Sequence, residues 1–456
     1  MTLRLPDVHG VPRAYAPRAE PLTPPKGAAP ASRTVFAAAH VVADPRADLS
    51  PGSQAVLDWD ATLAFRRHLW AHGLGVAEAM DTAQRGTGLD WTGAAELIRR
   101  SAAEARAVGG RIACGAGTDQ LTGPSAGGLT GASAGGLTGP SAGAPTGPSA
   151  GGLTASPARA LAASPARALT TSPARALTTS PARALTGASA ARSDRPAALA
   201  EVRAAYEEQI AVVEESGAQV VLMASRALAA AARDPEDYLE VYGHLLRQCA
   251  RPVILHWLGP MFDPALEGYW GTTDPDAATR TVLDVIAAHP GKVDGVKISL
   301  LDAGREIALR RLLPDGVRCY TGDDFHYPEL IAGDGQGFSH ALLGVFDPLG
   351  PLAAHAVRLL DAGDVTGFRS VLDPTVALAR HLFAPPTRHY KTGVVLLAWL
   401  AGHQSHFTMP GGHQSSRSLP HLARAYELAD GLGLFPDPEL AERRMKSLLT
   451  VYGVVQ

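Results

Sequence analysis

Residues 292–322 read KVDGVKISLLDAGREIALRRLLPDGVRCYTG. A short apolar run (292–300) is followed by a helical pattern, DAGREIALRRLL (302–313), and a second apolar run, VRCYTG (317–322). Strand, helix and strand joined by short connections form the parallel β–α–β unit. The alternation continues in both directions. Strand-like runs occupy 34–43, 74–80, 111–117, 218–224 and 251–257 upstream, and a weaker one spans 337–345 downstream. Between them lie helical patterns such as SQAVLDWDATLAFRRHLWAHG, where Val56, Trp59, Leu63 and Trp70 recur at helical spacing. Eight such units predict an α/β fold, a (β/α)8 barrel, over an open doubly wound sheet. No Gly-rich phosphate fingerprint follows the first strand, which disfavours a dinucleotide-binding sheet.

The organisation around this barrel follows from composition. Residues 1–32 are rich in Pro and Ala without periodicity and predict an extended N-terminal arm. The barrel is expected over 33–350. It is interrupted at 121–194 by an eight-residue repeat that runs from GPSAGGLT to TSPARALT. Each repeat offers at most one leucine among Gly, Pro, Ser and Thr, too little apolar surface to offset chain entropy. A disordered low-complexity insertion is the expectation there, with slippage expansion favoured over a binding role. Residues 351–456 carry only helical patterns and predict a C-terminal helical domain.

The chain has 456 residues and a net charge of −3. A near-neutral surface argues against a nucleic-acid partner. No apolar run is long enough to span a bilayer, and the N-terminus lacks a signal-peptide core. Cys114, Cys249 and Cys319 are widely spaced in apolar surroundings, which predicts buried free thiols and a cytoplasmic protein. Of 41 basic residues only Lys26, Lys292, Lys297, Lys391 and Lys446 are lysine. Arginine keeps its proton, whereas lysine can lose it, so the few lysines mark places where an amine is needed.

Barrel active sites lie at the C-terminal strand ends. In the sixth strand, alternation puts Val293, Gly295, Lys297 and Ser299 on one face and Val296, Ile298 and Leu300 on the other. The second set is apolar and suits the helix layer, so Lys297 points inward. Desolvation there disfavours the ammonium form. Such a lysine is either a structural partner of Glu78 or Asp323, or a nucleophile for a carbonyl. The fifth strand brings His256, a residue able to move protons near neutral pH. The seventh ends in Asp323 and Asp324. Adjacent extended residues face opposite ways, so one points at the site and the other caps the next helix. Glu78, Asp81 and Thr82 at the second strand end, and Asp119 after the third, complete the candidate substrate contacts.

These residues carry a resemblance. VDGVKISLLD (293–302) resembles the Schiff-base lysine strand of the dihydrodipicolinate synthase and N-acetylneuraminate lyase superfamily of class I aldolases and lyases. RPVILHWLGP (251–260), RIACGAGTD (111–119) and YTGDDFHYPELIAGDGQGFSHAL (320–342) are similar to other strands of that superfamily in order and spacing. The match spans about residues 34–400 without the insertion, and it points to a subgroup carried as a domain of unknown function. The resemblance implies a barrel with a helical C-terminal domain, often oligomeric, with Lys297 condensing with an α-keto acid. Two positions depart from the pattern. His256 stands where the superfamily has a catalytic tyrosine. AEAMDTAQRG (77–86) stands where a Gly-Thr-Thr-Gly-Glu loop binds the substrate carboxylate. Only Thr82 keeps a hydroxyl there, and Asp81 would repel a carboxylate, so a neutral or hydroxylated carbonyl compound, such as a sugar derivative, fits better than pyruvate.

The leading expectation is therefore a lyase or aldolase-like enzyme with an imine at Lys297, a small-molecule carbonyl substrate, no cofactor and no bound metal, assembled as a homo-oligomer. A metal-dependent barrel isomerase or hydrolase using Glu78, His256 and Asp323 is the first alternative, with Asp119 and His326 as further possible ligands. A non-catalytic ligand-binding barrel is the second. His403, His406 and His413, in GHQSHF and GGHQSSRS, suit a metal or a polar loop equally well.

Overall fold

The computed structural model describes residues 2–17, 20–121 and 195–456. The repeat segment expected to be disordered lies outside the described residues, apart from Leu121. Two short strands, β1 (Leu3–Pro6) and β2 (Pro12–Tyr15), pair antiparallel within the stretch expected to be an extended arm. Leu3 and Leu5 are fully buried in the apolar cluster that also holds Tyr426 and Met445 of the last two helices. The Tyr15 hydroxyl donates to Asp430 at 2.6 Å.

Eight parallel strands then close into a barrel. They are β3 (Val35–Ala38), β4 (Gly75–Glu78), β5 (Ile112–Ala116), β6 (Gln219–Leu222), β7 (Val253–Leu258), β8 (Val293–Ser299), β9 (Arg318–Thr321) and β10 (His340–Leu343), with β10 pairing to β3. Seven fall inside the runs read as strands from the sequence, and β7 extends one residue beyond its run, to Leu258. Each is followed by a helix, and aspartates start many of these helices. Asp58, Asp90, Asp234, Asp274 and Asp302 each accept a backbone N–H of the first turn, satisfying donors that have no partner within the helix.

Alternation divides the strand residues between two layers. Phe36, Ala38, Ala77, Ala113, Val221, Ile254, Tyr320 and Leu342 pack inside the barrel. Val220, Leu255, Val296 and Ile298 pack outward in the helix layer. Val293 departs from the expected pattern and joins the outer layer. The β7–β8 register explains it. Val253 pairs with Val293 but Ile254 pairs with Gly295, so Asp294 is an extra residue that shifts the alternation below Gly295. Gly295 itself faces Tyr320, where a Cβ would lie 2.7 Å from the ring edge.

Beyond β10 the described chain is helical. Helix Tyr390–Leu400 runs through the middle of this part with all eleven residues buried. After its first turn its sequence, GVVLLAWL, is apolar all round, as a helix enclosed on every side requires. Among the described residues no helix is long and apolar enough to cross a membrane.

Candidate active site

Lys297 and His256 are cross-strand partners on β8 and β7. Both side chains point into the barrel near its C-terminal end. The Lys297 Nζ lies 3.1 Å from His256 Nε2, and Ser299 Oγ lies 3.4 Å from the same nitrogen. Burial, reinforced by the Lys297 charge, pushes the imidazole well below its ordinary pKa. His256 is therefore neutral, and its Nε2 can accept from the amine. The other ring nitrogen, Nδ1, is buried without a partner. Burial also lowers the Lys297 pKa, against the opposing pull of Asp81 and Asp324. Among the described residues Lys297 makes no ion pair. The space it occupies depends on Gly322 at the end of β9. A Cβ there would lie 2.1 Å from Ser299 Oγ and 3.1 Å from Lys297 Cε.

The two adjacent aspartates after β9 divide their work. Asp323 accepts the backbone N–H groups of Phe325 and His326 at 2.8 and 3.0 Å, and its other oxygen meets His326 Nδ1 at 2.9 Å. It fixes the turn into helix Tyr327–Ala332. Asp324 faces the cleft and accepts the Val345 N–H at 2.9 Å. Burial raises its pKa to about 7, with the Val345 N–H and Lys297 opposing and Asp323 adding to the rise.

A sharp bend after β4 delivers the next pair. Ala79 has φ 51°, a left-handed conformation that costs energy in a residue with a side chain. The chain then enters a tight turn at Asp81–Ala83, and both Asp81 and Thr82 line the cleft. Thr82 Oγ1 meets the Tyr390 hydroxyl at 2.7 Å. Burial raises the Tyr390 pKa well above its ordinary value, so the phenol keeps its proton. Lys297, Ser299, Asp324, Asp81, Thr82 and Tyr390 thus line one small, partly open cleft, whose remaining wall is apolar.

Glu78 and Asp119 sit elsewhere. Glu78 is fully buried and held by Arg66, with Nε to Oε2 at 2.8 Å and Nη2 to Oε1 at 2.9 Å. It also accepts the Ala79 N–H, so it braces the bend instead of facing the cleft. Asp119 is gripped by Arg85 at 2.7 and 3.1 Å. Burial would raise its pKa, but the guanidinium outweighs this and holds it below the usual range. Glu78, Asp119 and Asp323, expected at the substrate, therefore line other contacts. They do not converge with His256, and among the described residues no three His, Cys, Asp or Glu side chains are placed to hold a metal ion. His403 meets Phe65 edge-on and His68 at a tilt, and is not among the residues lining this cleft, and His413 binds the Thr87 carbonyl.

Sequence reasoning missed Tyr390 and Phe383. Both come from the C-terminal helices, where an apolar pattern reads as core. The one available signal was Lys391, next to Tyr390 and among the five lysines. It is buried, with its pKa lowered by desolvation.

A closed (β/α)8 barrel finished by C-terminal helices is also the fold of solved dihydrodipicolinate synthase structures. A prophage protein of that family from E. coli K12, YagE in complex with pyruvate, matches with TM-score 0.56 and 11% identity over 88% of this chain and 99% of that one. A dihydrodipicolinate synthase from Bacillus anthracis matches with TM-score 0.53 and 12% identity over 87% and 97%. The enzyme from Bacteroides thetaiotaomicron matches with TM-score 0.52 and 14% identity over 89% and 99%. At such identity the likeness is one of fold. No curated protein matches in sequence. The chain belongs to the family described as protein of unknown function DUF993, which matches residues 3–132 and 153–454.

Proposed function

We propose that the protein is a lyase or aldolase-type enzyme that joins Lys297 to the carbonyl carbon of a small substrate as an imine. The observation that carries this reading is the Lys297 amine itself. It is buried without an ion-pair partner, its pKa is lowered, and it rests on a neutral imidazole at the edge of a cleft. A neutral amine is the form that attacks a carbonyl.

In the proposed step the amine nitrogen adds to the carbonyl carbon, and His256 Nε2 accepts the proton it sheds and passes it to the former carbonyl oxygen, which becomes a hydroxyl. The carbon–oxygen bond then breaks and the oxygen leaves as water. Asp324, protonated below about pH 7, donates to the departing hydroxyl. The imine withdraws electrons from the neighbouring carbon, which permits a C–C bond to be made or broken there, or water to be lost. The Tyr390 phenol, held by Thr82, moves the proton at that carbon. In this role it stands in for the tyrosine that the superfamily has at the His256 position.

Borohydride reduction in the presence of a carbonyl panel tests the reading. Reduction converts the imine to a stable secondary amine, so the peptide bearing Lys297 gains the substrate mass. The adduct is expected at Lys297 and absent in Lys297→Arg. An adduct at Lys391, or none from any carbonyl, sinks the assignment. Three buried thiols without disulfides support the expected reducing, cytoplasmic setting. Assembly as a homo-oligomer, as the resemblance implies, is checked by sedimentation.

A further inference from the structure

Resting on the imine reading, we infer that the substrate is a carbonyl compound with an uncharged aryl group and no carboxylate beside the carbonyl. Three features of the cleft carry this. The first is charge. The charged side chains on its wall are Lys297, Asp81 and Asp324. The single cation is the group consumed in forming the imine, and the Asp81 carboxylate, joined by Asp324 above about pH 7, would repel an anionic substituent. No arginine lines the cleft to form the bidentate pair that a carboxylate or phosphate favours.

The second feature is an aromatic wall. Phe383 and Tyr390 stack with ring centroids 4.2 Å apart and planes 15° apart. Phe262 meets Phe383 edge-on at 6.4 Å and 77°. Leu258 and Met80 continue this apolar surface. A planar ring gains most from such a wall, by stacking and by edge-to-face contact. A polyhydroxylated sugar chain would leave its hydroxyls without partners there.

The third feature is Gly344, just beyond β10. A Cβ at this position would lie 3.2 Å from Phe383 Cζ, 3.3 Å from Thr82 Oγ1 and 3.3 Å from the Tyr390 ring. The absence of a side chain lets Phe383, Thr82 and Tyr390 pack directly against the backbone here, which fixes the position of the aromatic pair at the cleft wall.

The test uses pairs that differ by one feature. Phenylacetaldehyde against acetaldehyde adds the ring. Phenylacetone against phenylpyruvate exchanges a methyl for the carboxylate on the same benzyl ketone. The readout is the concentration giving half-maximal borohydride trapping at Lys297 in the full chain. Phenylacetaldehyde is expected to trap at a concentration lower by about tenfold or more than acetaldehyde, and phenylacetone at a lower one than phenylpyruvate. Phe383→Ala and Gly344→Ala are each expected to shrink the gap between phenylacetaldehyde and acetaldehyde. Preferential trapping of phenylpyruvate or pyruvate at Lys297 overturns the substrate class while leaving the imine in place. Equal trapping of acetaldehyde and phenylacetaldehyde also overturns it. Failure of every carbonyl to modify Lys297 overturns the imine reading as well.

Discussion

Replacing Asp324 with Asn should change how stability depends on pH. In the folded protein the Asp324 pKa is raised from 3.8 to about 7, chiefly by burial. Between these values the folded state holds a proton that the unfolded chain has released, so stability falls as pH rises through the window. Each pKa unit corresponds to about 1.4 kcal/mol, so the full loss is roughly 4 kcal/mol. Between about pH 5 and pH 8 the remaining part of the window contributes roughly 3 kcal/mol. Asn does not titrate, and its side-chain oxygen can still accept the Val345 N–H. Urea unfolding of both proteins at the two pH values reads this contribution together with that of Lys297, whose pKa Asp324 also pulls upward. The variant should gain roughly 3 kcal/mol relative to the native protein on going from pH 5 to pH 8. Profiles that stay parallel would refute the buried, cleft-facing placement of this carboxyl. The same term implies that the cleft keeps Asp324 in place at a cost to stability, as functional sites commonly do.

Tyr390→Phe should leave the fold intact and slow turnover by about a hundredfold or more once a substrate is known; an unchanged rate would remove the phenol from the proton path. Gly322→Ala should lower stability by about 1–3 kcal/mol in a denaturation curve and reduce trapping at Lys297, because the new methyl must displace Ser299 and the lysine stem. Unaltered trapping would show that the lysine does not depend on that gap. Arg66→Met leaves the Glu78 carboxylate buried and unpaired, and should cost about 3–5 kcal/mol. Adding Glu78→Gln to it should recover much of that loss, and a failure to recover would deny the pair its bracing role.

Much of the barrel was legible because strand and helix periods differ and eight apolar runs alternate with helices. The inward direction of Lys297 followed from alternation above Gly295, and the His256 partner follows from pairing of neighbouring strands. The reading of Asp323 and Asp324 as a cap and a cleft residue also came from alternation, although not which was which. That choice rests on the turn after Thr321, where Asp323 collects the Phe325 and His326 N–H groups. The extra residue at Asp294 was invisible, since nothing in KVDGVKISL marks a register shift. Glu78 and Asp119 look like site carboxylates in one dimension because their partners, Arg66 and Arg85, come from other segments. Tyr390 was hidden for the opposite reason, as an aromatic residue at the start of a helix whose apolar run, VVLLAWL, reads as core.

The bond between Thr82 and Tyr390 joins residues 308 positions apart. Closing so long a loop is entropically expensive and slow. During synthesis the ribosome delivers Lys297 and all eight strands before it delivers Tyr390, Phe383 or their helix. A nascent barrel therefore presents its amine with the aromatic side of the cleft still missing. Translation beyond β10 completes the cleft, which makes the helices after β10 the step that converts a folded scaffold into a reactive one.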